Sequence, residues 1–192
     1  MGYLGPWVAH KTAALTVTGF ELAEFAKFFP QVQGGTVTVT RWLFLTPVAA
    51  SAILFGLVVS KLTTSPVARL VGTGLAVLLA LTALPPYGFY LAPEYRGQLI
   101  LALGGAVLTM LTWLSPRLPR RTGGGLIALL AVAGAVPAFY QFATLCPLLT
   151  WLYDVPVSLG WGVIVCAVGF VLLLIGGILI AVQSDQEYHK KR

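Results

Sequence analysis

The chain has 192 residues, 58% of them hydrophobic and only 9% charged, with a mean hydropathy of +0.89 and a formal net charge of +6. A soluble domain carries about 25% charged residues, so this composition cannot cover a water-facing surface and predicts a polytopic α-helical membrane protein. A membrane β-barrel is excluded because the apolar runs are continuous rather than alternating, and nucleic-acid binding because the basic residues sit at the ends of those runs.

The expected organisation is an extracytoplasmic tail over residues 1–40 and a transmembrane bundle over residues 41–192. Gly2 to Trp7 reads as irregular, and no basic start followed by a single apolar block marks a secretory signal. Thr18 and Glu21 have the spacing of a capping box, in which each side chain satisfies the other's free backbone donor. They open a short helix that Pro30 is expected to end. Leu22, Phe25, Ala26 and Phe29 share one face of it, and Glu21, Glu24 and Lys27 another. Too short and too charged to span, this helix either lies on the membrane surface with its phenylalanines down or packs on the protein's own spanning helices. The alternation from Thr36 to Thr40 suggests an extended segment, but one short strand has no evident partner.

Five spans are expected, at about 42–60, 67–84, 98–114, 126–145 and 161–182. Pro47 lies about one turn inside the first, placed to kink it. The third and fourth flank an arginine-rich loop from Ser115 to Gly125, whose Arg117, Arg120 and Arg121 are hard to move across a membrane and so determine orientation. With that loop in the cytoplasm, the inner side holds eight Lys and Arg residues and the outer side four, the four being matched by Glu21, Glu24, Glu94 and Asp154. The expectation is an all-α integral membrane protein, a bundle of five transmembrane helices preceded by a short amphipathic surface helix, N-terminus out and C-terminus in. The plasma membrane of a prokaryote is the expected location.

Within the five spans there is no Asp, Glu, Lys or His, and Arg69 lies only at an end. Proton relays and ion paths need such residues, so a proton-coupled pump or carboxylate-based ion carrier is disfavoured. His10 and His189 fall outside the spans, which speaks against haem or chlorophyll ligation in the bundle. No metal-ligand cluster, P-loop or nucleophile elbow is present. No cofactor is expected. Cys146 and Cys166 make neither a disulfide framework nor a zinc pattern. A bridge between them is open, and two unpaired apolar thiols is the simpler expectation.

Three groups of residues remain as candidates. The outer side is rich in aromatics, among them Trp42, Tyr87, Phe89, Tyr90, Tyr95, Trp151, Tyr153 and Trp161. They suit an interfacial belt, or a platform for an extracytoplasmic partner, a lipid or a quinone ring, with Glu94, Arg96 and Asp154 as polar anchors. Tyr140 and Gln141 sit beside Pro137, where they either bond a neighbouring helix or line a ligand pocket. Small residues recur on helix faces, as with Gly169, Gly176 and Gly177 in the fifth span, and let helices approach within this bundle or on another subunit.

Two functions from different classes follow. The first is a non-catalytic accessory or assembly subunit of a larger membrane complex, with other membrane protein subunits and lipid as partners and no nucleic acid. The second is a small carrier or binding protein for an apolar solute, quinone or lipid. An outer-leaflet enzyme using Glu94 or Asp154 as acid or base has only those two carboxylates behind it, and catalysis is not expected.

Overall fold

The computed structural model describes residues 2–10, 15–90, 92–153 and 158–190. They are predominantly helical and form two compact units, Met1–Pro47 with Ala135–Gly169 and Val48–Gly134 with Phe170–Arg192.

The first unit contains a small antiparallel sheet. Strands β1 (Pro6–His10) and β2 (Leu15–Thr18) pair, with Ala9 opposite Thr16, and β3 (Ser158–Leu159) pairs with the other edge of β1, Val8 opposite Leu159. The order is β2-β1-β3. Residues 2–7 are therefore not irregular: Gly2–Leu4 form a 3-10 turn and the strand starts at Pro6. The threonine alternation at 36–40 joins no sheet, the alternating residues that do being Leu15 to Thr18.

Helix α1 (Gly19–Phe25) starts at the expected capping box. Glu21 N–H donates to the Thr18 hydroxyl at 3.2 Å and Thr18 N–H to a Glu21 carboxylate oxygen at 2.8 Å. It tightens into a 3-10 turn over Ala26–Phe28 and stops at the extended Phe29, the residue before Pro30; Pro30 then opens α2 (Pro30–Gln33), its fixed φ and missing N–H suiting a first helical position. Leu22, Ala26 and Phe29 are buried while Phe28 is exposed. The apolar face thus packs on the protein itself, with α1 against the 3-10 turn Arg41–Leu45.

The second unit is built around α3 (Thr46–Leu62). Pro47 is the second residue of this helix, just after the 3-10 turn Arg41–Leu45 passes into it, a position where its absent N–H is tolerated. A Cβ on Gly56 would lie 2.7 Å from the Thr112 hydroxyl, and one on Gly105 would meet the Ala49 and Ala80 methyls at 3.4 and 3.7 Å. Ala52, Ala80 and Ala106 form the centre of this interior, so α3, α4 (Pro66–Leu81) and α5 (Arg96–Leu111) meet through small side chains, as helices in lipid must when apolar area gives no drive to associate. The hydroxyls inside these helices mostly donate to their own backbone: Ser60 to the Gly56 carbonyl and Thr109 to that of Gly105, each at 2.7 Å.

Among the described residues four helical stretches are long and apolar enough to cross a membrane: Arg41–Leu62, Pro93–Arg117, Arg120–Leu152 and Trp161–Gln183. Helix α4, expected as a span at 67–84, has 16 residues, or roughly 24 Å at 1.5 Å per residue against a hydrocarbon core of roughly 30 Å. The largest departure from expectation is α6, which runs from Arg120 to Tyr153 instead of 126 to 145. The arginine-rich segment is mostly helix: Thr112–Arg117 is a 3-10 turn, and Arg120, Arg121 and the three glycines open α6. Gly124 shows why glycine is there. A Cβ on it would lie 2.6 Å from the Gly177 carbonyl oxygen of α7 (Trp161–Lys190), and one on Gly177 would lie 2.7 Å from the Ala128 nitrogen, so the two backbones touch.

Candidate functional site

In the first unit, α6 carries Phe139 and Phe142 on one face, and both meet Trp7 of β1. Trp7 is fully buried. It stacks on Phe139 with ring centres 5.4 Å apart and planes at 13°, and meets Phe142 and Tyr3 edge-on at 5.3 and 5.7 Å. Its indole N–H has no acceptor among the described residues. Gly19, the first residue of α1, leaves room for this ring, since a Cβ there would fall 2.7 Å from Trp7 Cε2. The Tyr3 hydroxyl lies within reach of two carbonyls, those of Gly19 (2.9 Å) and Phe44, and donates to one at a time. Burial, with the Cys166 thiol nearby as the smaller cause, pushes the Tyr3 phenol well above its ordinary value. The first residues also lie directly on the start of α7: a Cβ on Gly2 would be 2.5 Å from the Cys166 nitrogen, and one on Gly162 2.6 Å from Gly5.

Gln141 belongs to the same unit, is buried, and accepts a bond from the Thr40 backbone N–H at 3.3 Å, just before the Arg41–Leu45 turn. Tyr140 is 67% exposed. One residue step on a helix is about 100°, and the two side chains do not share a pocket. Trp151 is exposed at the end of α6, and Asp154 lies outside the described residues. Cys146 and Cys166 are both free thiols.

Tyr90, Glu94 and Arg96 belong to the second unit. Tyr87 and Tyr90 meet edge-on at 6.3 Å, and Phe89 lies 5.7 Å from the buried Tyr95. Glu94 and Arg96 are exposed on either side of Tyr95, at the start of α5, and Gln98 donates to the Ala83 carbonyl at 3.0 Å, closing the loop over the end of α4. The aromatic residues expected on the outer side thus fall in both units, with Trp151 and Trp161 in the first.

At the other end of the second unit the basic residues gather. Arg69 donates to the Thr63 carbonyl at 2.9 Å and lies over the Trp113 ring at 5.6 Å. Arg117, Arg120 and Arg121 are exposed. Lys61, at the end of α3, donates to the Leu118 carbonyl at 3.0 Å, tying α3 to the turn before α6. Beside that bond a cleft of about 270 Å³ opens, walled by Leu57, Val58, Leu62, Ile127 and Ile180 and edged by Lys61 and Arg120. Sequence reasoning reached the arginines as topology signals but missed the cleft, because the glycines that open it read as a loop. Among the described residues no three His, Cys, Asp or Glu side chains come together.

Comparison of the chain with models of protein families, with curated proteins and with solved structures gave no match.

Proposed function

We propose that this chain is a non-catalytic subunit of a larger membrane assembly, crossing the plasma membrane of a prokaryote five times with its N-terminus outside and its C-terminus in the cytoplasm. The observation that carries this reading is the outer face of α7. Gly169 and Gly176 lie seven residues apart on it, and a Cβ on either would have open space for 4 Å around. Glycine inside a helix costs about 0.5–1 kcal/mol relative to alanine. Gly124 and Gly177 recover that cost through the close approach of α6 and α7. Among the described residues nothing lies close enough to Gly169 and Gly176 to recover it, and a second helix seated there would supply the missing contact. The absence of ionisable residues inside the spans supports a structural rather than a transport role.

The fifth crossing rests on α4, short but apolar and opened by Pro66 after the Ser65 cap. The charge distribution supports the orientation, with Lys61, Arg69, Arg117, Arg120 and Arg121 all at one end of the second unit's helices.

The test is a mild-detergent pull-down through the C-terminus from native membranes, sized on a native gel and read by mass spectrometry. Other membrane subunits are expected in fixed ratio, and Gly169→Leu with Gly176→Leu is expected to release them. A lone chain of about 20 kDa would overturn the reading. A C-terminal tag reachable by protease only from the cytoplasmic side is the matching topology result.

A further inference from the structure

The geometry points to a binding site for an anionic glycerophospholipid in the cleft between the end of α3 and the start of α6. One acyl chain lies along Leu57, Val58, Ile127 and Ile180, and the phosphate sits at the mouth beside Lys61 and Arg120. Ile180 lies one turn beyond Gly176, so the cleft borders the α7 face invoked for assembly, but it is argued from its own lining and its test reads bound lipid rather than subunits.

Three observations lead there. The cleft wall is almost entirely hydrocarbon, with no hydroxyl, amide or carboxylate side chain among the lining residues, so nothing in it would orient a polar small molecule. Its volume, about 270 Å³, falls just below the roughly 300–1,000 Å³ of pockets that enclose a drug-sized molecule. An open apolar slot of that size suits a length of flexible chain. Its floor is Leu57 and Gly124, both buried, and its rim is open beside Leu62, which is 77% exposed.

The second observation is the charge at the mouth. Both ionisable residues that line the cleft are cations, and no acidic residue lines it. The Lys61 ammonium has three donors and gives one to the Leu118 carbonyl, which holds it at the rim with two left for an anion. Arg120 adds a guanidinium suited to two-point contact with a phosphate.

The third is the backbone. Arg120 is the first residue of α6, so the positive end of the helix dipole lies at the same rim. Gly123, one turn in, has no side chain to fill the space; a Cβ there would lie 3.9 Å from Lys61 Cε and 4.0 Å from its ammonium nitrogen. Basic pockets between spanning helices on the cytoplasmic side are where anionic lipid headgroups bind.

The test uses the full chain in a mild nonionic detergent, with native mass spectrometry counting bound lipid. The probes are phosphatidylglycerol and phosphatidylcholine with the same acyl chains. Phosphatidylglycerol is expected to bind about thirtyfold more tightly, on the scale of two basic residues at a membrane surface. Lys61→Gln with Arg120→Gln should make the two lipids equal. Arg117→Gln, which removes a nearby exposed charge outside the cleft, should leave the preference intact. Gly123→Leu keeps every charge and fills the slot, and should weaken binding of phosphatidylglycerol. Equal binding of the two lipids by the unmodified chain would overturn the proposal without recourse to any variant. So would an Arg117→Gln loss as large as that of the pair, which would mean diffuse surface charge. Glycerol phosphate without acyl chains displacing the lipid at the lipid's own concentration would mean a soluble-anion site and would equally overturn it.

Discussion

The hydroxyl of Tyr3 reaches the carbonyl of Phe44, linking the first turn of the chain to the 3-10 segment that leads into the first long helix. The same hydroxyl lies 2.9 Å from the Gly19 carbonyl at the start of α1. A single phenol proton therefore serves one of two backbone acceptors at a time, and its loss removes one hydrogen bond from a buried place.

Tyr3→Phe should destabilise the protein by about 0.5–1.5 kcal/mol, the net contribution of one hydrogen bond. Thermal unfolding in detergent measures this. The pH dependence has a definite sign. The folded state holds the phenol above its ordinary value of 10.0, so its contribution is fully present below about pH 10 and is lost as pH rises further, because the unfolded chain ionises first. The stability gap between the native chain and Tyr3→Phe should accordingly narrow above about pH 10. A gap that stayed constant up to pH 12 would contradict the burial of this group.

Trp7→Ala empties a site closed by Phe139, Phe142 and Tyr3 and should cost about 3–5 kcal/mol. Trp42, Trp113, Trp151 and Trp161 are each at least partly exposed, so Trp7 should be the tryptophan most resistant to a water-soluble fluorescence quencher. Quenching of the Trp7→Phe variant, compared with the native chain, isolates its share.

Gln141→Leu should lower stability by about 1–2 kcal/mol through the unpaired Thr40 N–H. Tyr140→Phe should stay within about 0.5 kcal/mol, as an exposed side chain does. Comparable large losses from both substitutions would mean that the two residues do act together.

Four of the glycines in α6 and α7 should divide into two classes. Gly124→Ala and Gly177→Ala place a methyl against backbone atoms at 2.6–2.7 Å and should each destabilise the isolated chain by about 1–3 kcal/mol. Gly169→Ala and Gly176→Ala meet nothing and should stabilise the isolated chain by up to about 1 kcal/mol each, the helix-propensity gain. Any penalty from that second pair should appear only in the yield of the native assembly.

Much of the helical framework was legible from local chemistry. The Thr18 and Glu21 box specifies the start of α1 because both partners lie within one turn. The start of α7 at Trp161 follows from an apolar run with nothing to interrupt it. What escaped depended on partners distant in sequence. The strand at Pro6–His10 is completed by Ser158 and Leu159, and no local pattern announces a pairing between those segments. Gly123 to Gly125 read as a loop because glycine is a poor helix former in isolation, yet Gly124 is helical where α7 needs its backbone close. Pro137 and Pro147 likewise sit inside α6, since a helix in a membrane protein re-satisfies the freed carbonyl with neighbours that water-based propensities ignore. Tyr140 and Gln141 are adjacent in sequence, but helical geometry sends one outward and the other to Thr40.

The pairing of Val8 with Leu159 also sets an order of events during synthesis. A ribosome adding ~5–20 residues per second delivers the second strand of that pair ~10–30 s after the first. Through that interval β1 has β2 on one side and a bare row of peptide groups on the other, the kind of edge that recruits foreign strands. Most of the helices are made before that edge is closed. A chain stalled or truncated before Ser158 would carry an unfinished sheet.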